Sequence, residues 1–207
     1  ALVRTPTREL ALQVQQTFSQ IGRFKKIRCA AIFGKQPFMQ QRNELRQRVH
    51  VVIGTPGRTL DHLEKDHLDL SQIRWLILDE ADKMLELGFI EQVEAIIGRV
   101  SQNRTTLVFS ATMSEPVEQL CRQYMRTPQR IAIMATKPLQ DKISQSWLAV
   151  SDNDKFHLTI QLLDKLQPSR CILFCSTRER VDALARELQQ KRPNVALCSL
   201  HGGMEQN

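Results

Sequence analysis

The chain has 207 residues, 29 Lys and Arg against 22 Asp and Glu for a formal charge of +7, with 42% hydrophobic and 25% charged residues. That mixture holds enough apolar side chain to bury real cores, which excludes a disordered tail, a collagen-like chain and a mucin stalk. No apolar run reaches the roughly 18–20 residues of a membrane helix, and no secretory signal opens the chain.

Ala1-Leu2-Val3 reads as the end of a buried strand that runs into Arg4-Thr5-Pro6. Thr7 then caps a helix over 8–21. Apolar runs rich in Val, Ile, Leu and Phe follow at 29–33, 49–53, 75–78, 106–109 and 131–134. Runs apolar on both faces suit strands covered by helices on both sides, as in a parallel sheet. Ser114 with Pro116 opens a helix that reaches Met125. Residues 135–145 are polar, contain Pro138 and lack periodicity, which predicts a linker.

Beyond the linker, strand-like runs at 146–150, 171–175 and 195–200 alternate with two helices. One starts at Asp152 or Asn153 and ends at Leu166; the other follows Ser176 and Glu179, a capping-box spacing, to about Lys191. The alternation predicts an α/β fold of two lobes, 1–134 and 146–207, each a parallel sheet with helices on both faces. Both lobes read as truncated on the outside, so the chain is expected to be a piece of a longer protein.

The five cysteines are odd in number and scattered without a CxxC spacing. They predict reduced thiols in a cytoplasmic protein, with Cys171 and Cys175 as core rather than metal ligands. Trp75 and Trp147 lie in strand-like runs and are expected in the core. His50, His62, His67 and His157 have no ligand spacing and read as surface or packing residues. The cluster at 23–28 reads as a solvated connector, and the net charge by itself only hints at a polyanionic partner.

The strongest chemical signal is Trp75-Leu76-Ile77-Leu78-Asp79-Glu80-Ala81-Asp82, a buried strand ending in adjacent carboxylates with a third two residues on. In open α/β sheets ligands sit beyond the carboxyl ends of the strands. A carboxylate there can hold Mg²⁺ through water while its neighbour orients an attacking water. The same acids could equally be the negatively charged first turn of a helix. Thirty residues on, Leu107-Val108-Phe109-Ser110-Ala111-Thr112 ends another run in two hydroxyls, placed to bond Asp82 or Glu80 if the strands are neighbours. Upstream, Pro6-Thr7-Arg8-Glu9-Leu10 and Gly54-Thr55-Pro56-Gly57-Arg58 each put N–H groups, a hydroxyl and an arginine at a helix start. Such loops suit successive phosphates of one nucleic-acid strand, although each alone also fits an ordinary helix start.

Taken in order, PTREL, TPGR, DEAD and SAT, followed by ILFCST and LHGG, resemble a DEAD-box RNA helicase of superfamily 2 over essentially the whole chain. The spelling of 33–38 and 88–94 further resembles the bacterial subgroup acting on large-subunit ribosomal RNA. The resemblance implies two RecA-like lobes, ATP and Mg²⁺ as cofactors, and RNA as partner, ribosomal RNA among the candidates. It implies that Asp79 holds Mg²⁺ through water, Glu80 activates the water that attacks the γ-phosphate, and Asp82 with Ser110 and Thr112 couples hydrolysis to RNA handling. It assigns RNA contacts to Pro6, Thr7, Arg8, Gly34, Thr55, Pro56, Gly57 and Arg58 in the first lobe. In the second it assigns Thr177, Arg178, His201 and Gly202, with Phe174 as core support. Gly34-Lys35 departs from the Gly-Gly of many members. The Gly-rich phosphate loop and the adenine-recognition segment are expected before Ala1, and the arginine-rich elements after Asn207. Two competing functions use similar loops: an ATP-gated RNA clamp or assembly factor without productive unwinding, and a DNA helicase of a related superfamily.

Overall fold

A computed structural model describes residues 1–133 and 143–204. The chain divides into two compact units, Ala1–Ala132 and Ile133–Asn207. Most of the expected linker at 135–145 lies outside the described residues, as does Met134 of the run at 131–134.

The first unit is built on five parallel strands: β1 (Leu2–Arg4), β2 (Cys29–Ile32), β3 (Val51–Gly54), β4 (Trp75–Leu78) and β5 (Thr105–Val108). Their spatial order is β2-β3-β1-β4-β5, and all four pairings are parallel. Every strand therefore ends at the same edge of the sheet. Gly54 is required at one such end. A Cβ there would lie 2.1 Å from the Ile32 carbonyl oxygen across the ladder, a distance no side chain tolerates.

Alternation along β1 sends Leu2 to one face and Val3 to the other, and each meets its own core. On Leu2's face lie helices α3 (Pro56–Glu64), α4 (Ala81–Glu86), α5 (Ile90–Arg99) and α6 (Glu115–Tyr124). Helix α5 buries Val93, Ile96 and Ile97, and α6 buries Val117, Leu120 and Cys121, both at the i, i+3, i+4 spacing of one helix face. Each such fully buried aliphatic side chain contributes roughly 1.5–3 kcal/mol. The opposite face is covered by α1 (Arg8–Gly22), which buries Ala11 and packs Val14 and Phe18 on the sheet. A short helix, α2 (Phe38–Leu45), follows β2.

The second unit contains α7 (Lys155–Leu166) and α8 (Arg178–Lys191). Among its described residues no segment is paired into a strand, so the runs at 146–150, 171–175 and 195–200 do not form the expected ladder; residues 131–133 are not a strand either. Apolar β-branched composition makes a segment able to join a sheet, but the ladder exists only where a neighbour lies within hydrogen-bonding reach. The runs at 171–175 and 195–200 instead line a cavity of about 900 Å³ with Leu163, Leu184 and Leu188 of the two helices.

Three aromatic expectations are corrected by exposure: Trp75 is 51%, Trp147 85% and Phe174 93% exposed. Trp75 opens β4 at the end opposite the site, and Trp147 and Phe174 lie in the unpaired runs. The five cysteines are all free thiols, but Cys171 is exposed and Cys175 only half-buried, not core. Among the described residues no helix is long and apolar enough to cross a membrane.

Candidate functional site

Because all five strands run the same way, the loops that carry chemistry in the first unit share one edge. Backbone bonds knit them together: Thr5 N–H donates to Gly54 O (3.1 Å), Thr55 N–H to Ile32 O (3.0 Å), Asp79 N–H to Arg4 O (2.9 Å) and Ala81 N–H to Phe109 O (3.0 Å). The strand order divides this edge. The Gly34, Thr55–Arg58 and Pro6–Arg8 loops follow β2, β3 and β1, while Asp79–Asp82 and Ser110–Thr112 follow β4 and β5.

On the acidic side the chain turns sharply after β4. Glu80 sits in the left-handed region (φ 50°), unusual for a side chain with a Cβ, and its residue caps α4. The turn lifts its carboxylate, which is exposed and takes no hydrogen bond among the described residues, off the sheet end. Half-buried Asp79 accepts the Glu80 N–H through Oδ1 at 3.1 Å, leaving Oδ2 open. Among the described residues no three His, Cys, Asp or Glu converge into a metal cage. One carboxylate with an open oxygen is nonetheless the donor set that suits Mg²⁺, which keeps several waters and binds one or two carboxylates together with substrate phosphates. Asp79 fits that role.

Asp82 faces β5. Its Oδ2 accepts both the N–H and the Oγ1–H of Thr112, each at 2.8 Å, and its own N–H donates to Ser110 Oγ at 3.1 Å. Ser110 Oγ–H closes the ring on Thr112 O at 2.8 Å. Partial burial works to raise the Asp82 pKa, but the hydrogen bonds from Thr112, Ser110 and the Lys83 N–H outweigh it and hold the carboxyl below its ordinary value. The expected juxtaposition of Asp82 with both hydroxyls is therefore present.

On the other side, Thr7 Oγ1 accepts the Leu10 N–H and caps α1, and the Arg8 guanidinium lies 5.1 Å over the Phe33 ring. Pro6 and Pro56 are buried, so they shape their turns rather than offer surface. Gly57 is half-buried at the start of α3. Gly34 is exposed, with no heavy atom within 4 Å of the position a Cβ would take. Arg58 is not a free surface cation: Nη1 donates to Gln36 O (2.9 Å) and Gln41 Oε1 (3.1 Å), and Nε pairs with Asp61 at 3.4 Å. Gln41 and His62, both wholly buried, complete that network and carried no sequence signal.

Within the second unit, Thr177, Arg178 and His201 line one open pocket of about 560 Å³. The neighbour of Gly202 is again Arg178, whose Nη2 lies 3.6 Å from the position of an added Cβ. Thr177, not Ser176, caps α8 by accepting the Arg180 N–H, so Glu179 is at the second rather than the third helical position and no capping box forms. His201 Nδ1 accepts the Gly203 N–H, leaving Nε2–H to donate to Asp182 at 3.1 Å.

A parallel α/β sheet covered on both faces, with an acidic pair beyond a central strand and helix-start loops on the neighbouring strands, defines a RecA-like lobe. The chain belongs to the DEAD/DEAH box helicase family, whose model matches residues 1–120. It is 46% identical over its whole length to the ATP-dependent RNA helicase DbpA of Bacillus subtilis (strain 168), covering 43% of that protein. It is 40% identical to the DEAD-box ATP-dependent RNA helicase CshA of Streptococcus pneumoniae serotype 4, again over the whole chain and 39% of the relative. Among solved structures, a DEAD box protein from the hyperthermophile Methanococcus jannaschii matches with a TM-score of 0.60 and 33% identity, over 99% of this chain and 54% of that one. The chain thus spans less than half the length of these curated relatives.

Proposed function

We propose that this chain is part of a cytoplasmic ATP-dependent RNA helicase, which separates short RNA duplexes or remodels RNA–protein complexes as its two units close on single-stranded RNA. The observation that carries the reading is the Asp82–Thr112–Ser110 ring beside the Asp79 and Glu80 carboxylates, on the sheet edge that also holds the phosphate-type loops. The names of the relatives support the same activity.

In this reading Asp79 would hold Mg²⁺ through water, and the ion would supply positive charge against the phosphate oxygens. Glu80, exposed beyond the strand end, orients a water and accepts its proton as the water oxygen bonds to the γ-phosphorus and the γ-phosphorus–bridging-oxygen bond to the β-phosphate breaks. Asp82 is held ionised by the Thr112 N–H and Oγ1–H and by the Lys83 N–H, so it serves as a fixed strut between the acidic turn and the Ser110–Thr112 loop rather than as a base. The loops at Pro6–Arg8, Gly34 and Thr55–Gly57 present N–H groups and a hydroxyl to successive phosphates, and Thr177, Arg178, His201 and Gly202 do so from the second unit. Contacts to ribose hydroxyls favour RNA over DNA. Ribosomal RNA is the proposed target class, on the spelling of 33–38 and 88–94.

The test is strand displacement by the full-length protein on a short RNA duplex with a single-stranded overhang. ATP-dependent displacement, with ATPase stimulated by RNA and not by DNA, is expected. RNA-stimulated ATPase without displacement would favour the clamp, and equal stimulation by DNA would contradict the RNA assignment.

A further inference from the structure

We propose that Gln41 is a positioning residue for the RNA grip of the first unit, an inference that rests on the RNA reading above. Gln41 lies on α2, is 0% exposed and cannot touch RNA itself. Its amide nevertheless connects everything behind the Gly34 and Thr55–Arg58 loops. Nε2 donates to Phe33 O at 2.9 Å and to Gln36 Oε1 at 2.8 Å. Oε1 accepts from Arg58 Nη1 at 3.1 Å and lies 3.3 Å from His62 Nε2.

The orientation of that amide follows from chemistry. Reversed, its oxygen would face the Phe33 carbonyl and its NH₂ would face a guanidinium that can only donate. With Oε1 as the acceptor, His62 must carry its proton on Nε2, which leaves Nδ1 bare; that atom is buried without a partner. A neutral imidazole in this tautomer also suits its stacking on Phe38, with centroids 4.1 Å apart and planes 6° from parallel. One side chain therefore uses both donors and both lone pairs, and all four bonds run to the two loops or to the helix that starts at one of them.

The connection reaches a third loop. The Phe33 carbonyl is held by Gln41 while its ring lies under the Arg8 guanidinium. Arg58 adds a second tie, since Nη1 bridges Gln36 O and Gln41 Oε1. Without the Gln41 amide, Arg58–Gln36 is the one side-chain hydrogen bond left between the 33–37 loop and α3 among the described residues, and the spacing between Gly34 and the start of α3 is less firmly fixed. Loops that must meet successive phosphates of one strand lose affinity when that spacing drifts, while the Asp79–Glu80 turn beyond β4 is untouched.

The experiment compares Gln41→Ala with wild type in the full-length protein, by ATPase against RNA concentration and by thermal unfolding. The RNA concentration for half-maximal stimulation should rise about tenfold, with kcat at saturating RNA, RNA-free ATPase and ATP affinity within about twofold of wild type. Gln36→Ala, which removes one acceptor at the loop rim, should move the same quantity in the same direction and serves if Gln41→Ala does not fold. The Gln41→Ala and Arg58→Ala effects should be strongly non-additive, because they break one network. Wild-type RNA dependence in the folded Gln41→Ala variant, or a fall in kcat with unchanged half-saturation, overturns the proposal. If wild type itself is not stimulated by RNA, the RNA reading fails first, and that result is visible before any variant is compared.

Discussion

Thr112 donates twice to one oxygen of Asp82, through its N–H and its Oγ1–H, each at 2.8 Å and across 30 positions of sequence. The acidic turn after β4 and the hydroxyl loop after β5 are thereby one mechanical piece, and a shift in one must be felt in the other.

Replacing Ser110 and Thr112 together by Ala removes three of the four bonds in that ring and leaves Asp79 and Glu80 in place. RNA-stimulated phosphate release should stay within about tenfold of wild type, while duplex displacement falls by more than that. The ratio of strands displaced to ATP hydrolysed, measured in one reaction, checks this; an unchanged ratio contradicts the coupling role.

Arg4 is a buried cation without a counter-ion among the described residues. It is 0% exposed at the end of central strand β1; among the described residues Nη1 makes a single 3.5 Å bond to Thr55 O, and Nε and Nη2 have no partner. Burial pushes its pKa down to about 9, so it remains charged at neutral pH and disfavours the folded state. Arg4→Met, apolar and of similar length, should raise stability at pH 7 by about 1–4 kcal/mol in a denaturant titration. Since the unfolded chain keeps a proton that the folded chain gives up above about pH 9, the advantage of the variant should shrink as pH rises past that value. A destabilised Arg4→Met protein would mean that the guanidinium has a partner in solution.

Lys35 occupies the left-handed region with φ 60°, a conformation that favours glycine. That conformation costs a side-chain residue roughly 1–2 kcal/mol, against roughly 0.5–1 kcal/mol of extra chain entropy lost by Gly. Lys35→Gly should therefore stabilise by about 0.5–1 kcal/mol in the same titration. Gly34 differs: its φ is not positive and its Cβ position is open, so the fold does not require a glycine there. Gly34→Ala should leave stability unchanged and weaken RNA binding, separating what the chain needs from what the ligand needs.

His62 supplies a pH dependence. Burial first, then the charges of His67 and Arg58, push its pKa down from 6.5 to about 4. Between those values the unfolded chain takes up a proton that the folded chain refuses, so stability falls as pH drops, by at most about 1.4 kcal/mol per pH unit. His62→Gln keeps a donor for Gln41 without the titration. Its stability should be flatter across that window; an equally steep fall would assign the pH dependence to other groups.

The parts of this fold that sequence discloses are those written locally. Each of β1 to β5 is a short apolar run, and Thr7, Pro56 and Pro116 mark helix starts within a few residues. The site was equally legible, because parallel strands deliver Asp79, Ser110 and the two arginine loops to a common edge. What sequence did not disclose is non-local. Gln41 reaches partners 5, 8, 17 and 21 positions away, and no spacing rule marks a buried amide among them. Arg58 therefore read as an open phosphate ligand although its side chain is largely committed to Gln36, Gln41 and Asp61. The runs at 171–175 and 195–200 carry strand composition, yet composition specifies only the capacity to pair.

The most direct measurement is multiple-turnover phosphate release by the full-length protein and its Glu80→Gln variant, with and without RNA, beside ATP and RNA binding. Wild type should hydrolyse ATP in an RNA-stimulated manner, and Glu80→Gln should bind both ligands while losing about 10²–10⁴-fold in turnover, the usual worth of a positioned base. Turnover by Glu80→Gln within about twofold of wild type would remove this carboxylate from the chemistry, and with it the assignment of the acidic turn as the hydrolytic centre.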